Sequence, residues 1–370
     1  MVSRQAHQAK RTQTVPGVTA DDDLSGTSAV RASHRFDVAS LSQWLSANIA
    51  DFRGPLTVEQ FKGGQSNPTY KLVTPTKSYV MRRKPPGTTL QSAHAVDREA
   101  RVLRALEPTG FPVPHVYGLC TNDEIVGSWF YVMDCVTGRN VWDATFPLVG
   151  RDLRPRYFDA MNDAIARLHS VDVRQIGLVD FGKSGNYIAR QVGRWTRQYL
   201  ADSNAGRDPH LDRLIEWLPA HIPPDDETTL IHGDFRVDNL IFHPNDPQVT
   251  AVLDWELSTL GHPLSDFANH VMMYRMPPML ITGLLGADLK ALNIPGEEEY
   301  VAAYCRRTSR DGIHHLNFYV AFNMFRLAAI CHGIKGRLIR GNASSLHADK
   351  MVAALPVIAT IAWKQALGAR

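Results

Sequence analysis

The chain has 370 residues, 44% of them hydrophobic, and its 40 Lys and Arg against 37 Asp and Glu give a formal charge of +3. At roughly 150 residues per domain it exceeds one ordinary domain, yet it has no internal repeat or long linker, so two lobes about a cleft fit better than separate beads. The near-balanced charge leaves no basic stripe for nucleic acid, and no run reaches the ~18 apolar residues that cross a bilayer.

Residues 1–32 are polar, with several bases before the first acid at Asp21, and are expected to form a disordered tail. A mitochondrial leader shares that composition, but no amphipathic pattern supports one, and no apolar signal core follows Met1. Cys120, Cys135, Cys305 and Cys331 are widely spaced, which points to reduced thiols and a cytoplasmic location. From Phe36 to Ile49, Leu41, Trp44, Leu45 and Ile49 recur at helical spacing and open the folded part.

Val58 to Val73 reads as strand, turn, strand, with the backbone amides of Gly63, Gly64, Gln65, Ser66 and Asn67 free to face phosphates. The next strand, Ser78 to Lys84, stops at Pro85-Pro86. Its alternation puts Arg82 and Lys84 on one face, either of them a candidate phosphate-contacting base, and Arg83 on the other. In the helix Ser92 to Leu106, Glu99 falls on the apolar stripe of Val96, Leu103 and Leu106, and an inward carboxylate needs a cation such as Arg82 or Lys84. The strand Trp129 to Met133 runs into Asp134-Cys135-Val136-Thr137-Gly138, which reads as a hinge whose backbone at Asp134 and Val136 can meet an adenine edge.

The stretch of about 180–224 is rich in Gly, Arg, Tyr and Trp and interrupts the helical pattern around it. Arg190, Arg194 and Arg197 have helical spacing there, forming one cationic face that suits an anionic substrate or simply stays solvated. Arg190, Arg194, Trp195 and, farther on, Tyr274 are the substrate candidates, although the stretch Met272-Met273-Tyr274 equally suits core packing.

The densest signal is Leu230-Ile231-His232-Gly233-Asp234-Phe235-Arg236-Val237-Asp238-Asn239, then two short apolar strands about a turn, then Asp254-Trp255-Glu256. With Phe242 opposite Thr250, antiparallel register sets Asn239 opposite Leu253, so Asn239 and Asp254 emerge together while Asp234 enters on the preceding loop. Phosphoryl transfer needs such a set: Asn239 and Asp254 as Mg²⁺ ligands and Asp234 to orient and deprotonate the acceptor hydroxyl. The order matches that of kinases, with His-x-Asp, four residues, Asn, a hairpin and the metal-binding Asp. His232 is expected to brace the loop, and Asp266 to anchor the metal loop. A two-metal phosphoesterase needs further Asn and His ligands downstream, and His262, His270 and Asn342 show no such pattern.

From roughly Phe61 to Trp363 the chain resembles the aminoglycoside phosphotransferase and choline kinase branch of the protein-kinase-like superfamily. Within it the chain is most similar to the phosphotransferase domains associated with acyl-CoA dehydrogenases. The residues that carry this are Ser92 to Glu99, Gly185-Asn186-Tyr187 with Arg190-Gln191 and Arg194-Trp195, His232 to Asn239, Phe325 to Ile330 and Gly341 to Ser344. The resemblance implies ATP and Mg²⁺ as cofactors, a hydroxyacyl-CoA of the 4-hydroxyacyl type as acceptor, and a functional association with an acyl-CoA dehydrogenase. The departures are an incomplete glycine loop, Arg at the strand base, and Trp255-Glu256 after Asp254, which argues against a protein substrate.

The expected fold is α+β and two-lobed, protein-kinase-like, with a small antiparallel-sheet N-lobe over 33–133, a hinge at 134–138 and a mainly helical C-lobe over 139–370. Two rival functions stay open. An aminoglycoside- or choline-type kinase predicts an acidic acceptor pocket, and a nucleotide-binding regulator predicts no turnover.

Overall fold

The computed structural model describes residues 26–62, 67–85, 95–278, 282–341 and 348–368. Strands β1 (Thr27–Ser28), β2 (Thr57–Phe61), β3 (Thr69–Val73), β4 (Ser78–Arg83), β5 (Val116–Cys120) and β6 (Phe130–Asp134) form one antiparallel sheet in the order β1-β2-β3-β4-β6-β5. Thr27 and Ser28 pair with Phe61 and Gln60, so the segment expected to be disordered through Ala32 joins the sheet at its edge. The exposed ladder of β2 supplies the partner that composition alone does not reveal. Residues 1–25 lie outside the described residues.

Strand periodicity divides this sheet into two faces. Tyr79 and Met81 of β4, with Phe130 and Val132 of β6, pack with Leu41 and Leu45 of α1 (Val38–Asn48) in a small core of their own. Asp37 caps α1, its carboxylate accepting the Ala39 N–H at 2.8 Å. Val80, Tyr131 and Met133 face the other way, against α2 (Val96–Leu106), in a core continuous with the second lobe. Arg82 follows Val80 at a spacing of two and so shares that inner face. The start of the helix expected from Ser92 lies outside the described residues.

The second lobe is mainly helical: α3 (Arg154–His169), α4 (Tyr187–Ala201), α5 (Pro209–Ala220), α6 (Pro263–Val271), α7 (Glu297–Arg307), α8 (Leu316–Ile339) and α9 (Ala348–Ala366). Helix α8 is buried along most of its length and packs against α4, α5, α6 and α9, as befits a helix apolar on most faces. Helices α4 and α5 lie within the stretch of about 180–224. No helix among the described residues is long and apolar enough to cross a membrane.

Two small sheets position the central motif. β7 (Arg139–Asn140) pairs with β9 (Leu240–Phe242), which pairs with β10 (Val249–Val252), and β8 (Thr229–Ile231) pairs with β11 (Thr259–Gly261). Phe242 faces Val249, not Thr250 as expected, and an irregularity at Thr250 restores the register so that Leu240 faces Val252. The Leu253 N–H then donates to the Asn239 carbonyl at 2.8 Å, so Asn239 and Asp254 do leave the hairpin side by side.

Candidate active site

The loop after β8 turns at Gly233, whose φ of +84° and a would-be Cβ only 2.6 Å from the Leu257 carbonyl oxygen leave room for glycine alone. Asp266, in the first turn of α6 and 2% exposed, accepts the N–H groups of His232 and Gly233, each at 2.8 Å. Its carboxylate also stands 3.2 Å from His169 Nε2. Burial opposes ionisation of Asp266, but the His169 contact and the His232 backbone N–H outweigh it and hold the carboxyl below the usual range. Asp266, expected to anchor the loop of Asp254, anchors the loop that leads into Asp234 instead, because α6 starts directly from β11, the partner of β8.

His232 is fully buried and braces two loops at once. Its Nε2 donates to the Leu253 carbonyl at 2.9 Å and its Nδ1 accepts the Asp234 N–H at 3.2 Å, which uses both nitrogens of a neutral imidazole. Asn239 Nδ2 donates to the Asp234 carbonyl at 2.9 Å and reaches Oδ2 of the same residue at 3.3 Å. The amide nitrogen is thus engaged, which leaves the Asn239 amide oxygen as the group available to a cation. Asp254 sits in the left-handed region at φ +65°, unusual for a residue with a side chain. The Trp255 indole, donating to the Val252 carbonyl at 2.9 Å, fixes the turn around it.

Arg82, 7% exposed, joins the lobes. Its Nε lies 2.8 Å from Glu99 Oε2, and its Nη2 lies 2.5 Å from Asp254 Oδ1 and 3.5 Å from Glu256 Oε2. Burial disfavours the guanidinium, yet Glu99 and Asp254 more than compensate and keep it protonated. Between the two bases left open by sequence, the structure pairs Arg82 with Glu99, while Lys84 lies 5.9 Å from the Trp129 ring. Arg83, on the opposite face, donates from Nε to Ser128 Oγ at 2.9 Å.

Glu99 also receives Asn67 Nδ2 at 2.8 Å and the Tyr131 hydroxyl at 3.2 Å. The Asn67 side chain, completely buried, therefore serves the Glu99 carboxylate. Gly63, Gly64, Gln65 and Ser66, the expected phosphate loop, lie outside the described residues.

At the segment between the lobes, Asp134 is the last residue of β6. Its N–H donates to the His115 carbonyl at 2.9 Å, and its carboxylate takes the Tyr117 hydroxyl at 2.5 Å and Lys77 Nζ at 2.9 Å. Burial resists ionisation there, but Tyr117 and Lys77 hold the carboxyl below its ordinary value. The Asp134 N–H is thus given to the sheet.

Two arginines stand beside the loop: Arg236, which has no role in the sequence reading, and Arg326, which enters it only as part of the stretch Phe325 to Ile330. Arg236 Nη2 pairs with Asp238 Oδ2 at 2.7 Å, with Nε 3.6 Å from Asp234 Oδ1. Burial pulls its pKa down, but Asp234, Asp238 and Asp254 together raise it above the ordinary value, so the cation is permanent. Its position within the motif, two residues after Asp234, was the available signal. Arg326 of α8 donates from Nη2 to the Gly233 carbonyl at 2.8 Å, a contact across 93 residues that no local pattern announces.

On α4 the buried stripe is Tyr187, Ile188, Val192, Trp195 and Tyr199. Arg194 and Arg326 stand 5.2 and 5.9 Å from the Trp195 ring. Burial raises the Tyr187 phenol pKa, against the positive fields of Arg326, Arg194 and Arg190. Arg190 donates to the Lys183 carbonyl at 2.8 Å, which braces the start of the helix, and Arg197 is exposed. Tyr274 does not join this group. It is buried against Phe158 and Tyr300, with its hydroxyl on the Pro295 carbonyl at 3.0 Å, because the Met272–Arg275 turn faces the lobe's core.

Residues 57–307 match the family described as phosphotransferase enzymes. The chain belongs to the phosphotransferase enzyme family. This phosphotransferase is 46% identical to a putative aminoglycoside phosphotransferase from Ralstonia eutropha, with a TM-score of 0.82 over 91% of this chain and 100% of the other. It is 40% identical over 98% of its length to mouse acyl-CoA dehydrogenase family member 10, and 44% identical over 86% to chicken acyl-CoA dehydrogenase family member 11. The phosphotransferase spans only 34% and 42% of those two proteins. A choline kinase from Cryptosporidium parvum, at 12% identity and a TM-score of 0.58, shares the fold. The two-lobed α+β architecture is thus protein-kinase-like, and the activity is of the phosphotransferase type.

Proposed function

We propose that the chain transfers the γ-phosphoryl group of ATP to a hydroxyl of a small molecule, and that the acceptor is a hydroxyacyl-CoA of the 4-hydroxyacyl type. The observation that carries the chemistry is the meeting of Asp234, Asn239 and Asp254 with Arg82 where the lobes face each other. The acceptor reading is supported by the likeness to parts of two acyl-CoA dehydrogenase family members and by the cationic face around Trp195. That face suits an anionic acceptor better than a cationic aminoglycoside or choline.

In this reading residues 134–138 are the hinge and the adenine lies beside it, with the Val136 backbone as donor. The hard oxygens of Asn239 and Asp254 fit Mg²⁺, which takes one or two protein ligands and fills its remaining positions with phosphate and water. Bound there, Mg²⁺ supplies neutralisation of phosphate charge. Asp234 is held in place by Asn239, accepts the proton of the acceptor hydroxyl and releases it to solvent afterwards. The new P–O bond forms on the acceptor oxygen as the bond between the β- and γ-phosphates breaks and ADP leaves. Arg82 positions phosphate, and to do so it loosens its hold on Asp254 while Glu99 keeps the guanidinium in place. The likeness to parts of acyl-CoA dehydrogenase family members supports a functional association with an acyl-CoA dehydrogenase, which would act on the phosphorylated acyl-CoA.

The test is ATP consumption with Mg²⁺ over 3- and 4-hydroxyacyl-CoAs, free hydroxy acids, choline and aminoglycosides, with Asp254→Ala as blank. Turnover confined to hydroxyacyl-CoAs supports the acceptor proposed. Turnover on choline or aminoglycosides overturns the acceptor and keeps the chemistry. No turnover on any acceptor returns the chain to a regulatory role. Asp234→Asn is expected to lose nearly all turnover while binding nucleotide as before.

A further inference from the structure

Arg326 occupies a position that phosphate chemistry does not explain. It comes from α8, and one of its five N–H groups is given to the carbonyl of Gly233, the residue just before Asp234, at 2.8 Å. Its guanidinium and that of Arg194 both stand beside the Trp195 ring, at 5.9 and 5.2 Å. Among the described residues no carboxylate pairs with either arginine. Trp195 is 9% exposed, and its indole N–H is buried without an acceptor among the described residues. Two cations without counter-ions among the described residues, beside a buried indole N–H, make up a donor set that faces no anion there.

The mounting of this group is stiff. A Cβ at Gly336 would overlap the Asp202 carboxylate, and one at Gly333 would come within 3.3 Å of Gln198 Nε2, so α8 and α4 lie in close contact. That contact holds Trp195 of α4 against Arg326 of α8, one hydrogen bond away from the catalytic loop.

We infer that Arg326 and Arg194, about the Trp195 indole, form the subsite for an oxyanion of the acceptor, and that Arg326 is a positioning residue coupling that oxyanion to the Asp234 loop. The planar fork gives Arg326 one edge for the Gly233 carbonyl and another for the ligand, which a lysine cannot reproduce. The oxyanion is a carboxylate, as on a free hydroxy acid, or a phosphate of the CoA moiety. The inference rests on the acceptor side of the function proposed above, but binding tests it apart from turnover.

Calorimetry with CoA alone, with a short 4-hydroxy acid and with a hydroxyacyl-pantetheine that carries neither carboxylate nor phosphate is run on the whole chain and on Arg194→Gln, Arg326→Gln, Arg326→Lys and Trp195→Phe. Steady-state kinetics on the acceptor accompany it. Either glutamine variant is expected to weaken anion binding by roughly tenfold or more, the scale of a charged hydrogen bond. ADP affinity stays as it was, and the pantetheine compound does not respond. Arg194→Gln moves KM, Arg326→Gln moves KM and kcat together, and Arg326→Lys regains part of KM but not kcat. A loss seen with CoA assigns a phosphate, and a loss seen with the hydroxy acid assigns a carboxylate. Unchanged anion affinity in Arg194→Gln, a surface substitution that leaves the fold alone, overturns the subsite. A fall in kcat without any change in KM or anion affinity in Arg326→Gln reduces that residue to a brace of the loop. Anion binding that is lost in the variants, in a protein that phosphorylates no hydroxyacyl-CoA, upholds the subsite and removes the acceptor proposed above.

Discussion

Replacing Arg82 with Met leaves the Glu99 carboxylate, 1% exposed, without its cation. Methionine fills similar space, so the cost is electrostatic. Glu99 escapes that cost by taking up a proton, which at pH 7 from an ordinary carboxylate pKa of about 4.3 costs about 3.5 kcal/mol. That ceiling agrees with the roughly 3–5 kcal/mol lost when one partner of a buried pair is removed. The bonds from Asn67 and Tyr131 remain and trim the loss, so about 3 kcal/mol is expected. Asp254 loses the same partner but is 31% exposed at its side chain and can hydrate.

The sign with pH follows from linkage. Burial already raises the folded Glu99 carboxyl in the parent, against the field of Arg82, and removing Arg82 raises it further, so the variant's stability falls more steeply as pH rises above about 4.3 and recovers on acidification. Urea unfolding of both proteins at pH 7 and pH 5 should show the deficit shrink from about 3 to about 1 kcal/mol. Arg82→Met combined with Glu99→Gln should regain much of the loss at pH 7. A deficit equal at both pH values, or a double variant as unstable as the single one, would falsify the view that Arg82 compensates a buried Glu99 charge.

Three further outcomes follow from the same geometry. Gly233→Ala forces a side chain into a left-handed turn against the Leu257 carbonyl and should cost about 1–3 kcal/mol, with a larger proportional fall in turnover because Asp234 comes next. Asp266→Asn keeps one acceptor oxygen where two serve the loop amides and His169; stability should drop by roughly 3 kcal/mol or more, seen as a lower denaturant midpoint. A midpoint within error of the parent would show that the loop is held by something else. Burial drives the pKa of His270 down from 6.5 to about 4, so the unfolded chain takes up a proton that the folded chain refuses between those values. This share of stability is complete above about pH 6.5 and is lost on acidification toward pH 4, roughly 3 kcal/mol in all, and His270→Gln should flatten the stability profile by that amount.

Much of the site is legible in the sequence. The alternation in Ser78 to Arg83 and the helical stripe around Glu99 set the inward faces, and the hairpin brought Asn239 beside Asp254 even though the register slipped at Thr250. These are local periodicities, and a period of 2 or 3.6 tells which face a residue takes. Arg82 and Lys84 share one face, so the period could not choose between them; the approach of α2 and of the Asp254 turn chose Arg82.

Sequence alone thus determined the order of chemical groups along the chain and the inward or outward sense of each, because both are set within one element. Only the tertiary structure decided that Arg326 reaches Gly233, that Asp266 holds the loop leading into Asp234, that Asn67 serves Glu99, and that Tyr274 belongs to the core. Each of these depends on how two distant elements pack, and the free energy that selects the packing is summed over the whole core, with no local pattern to carry it.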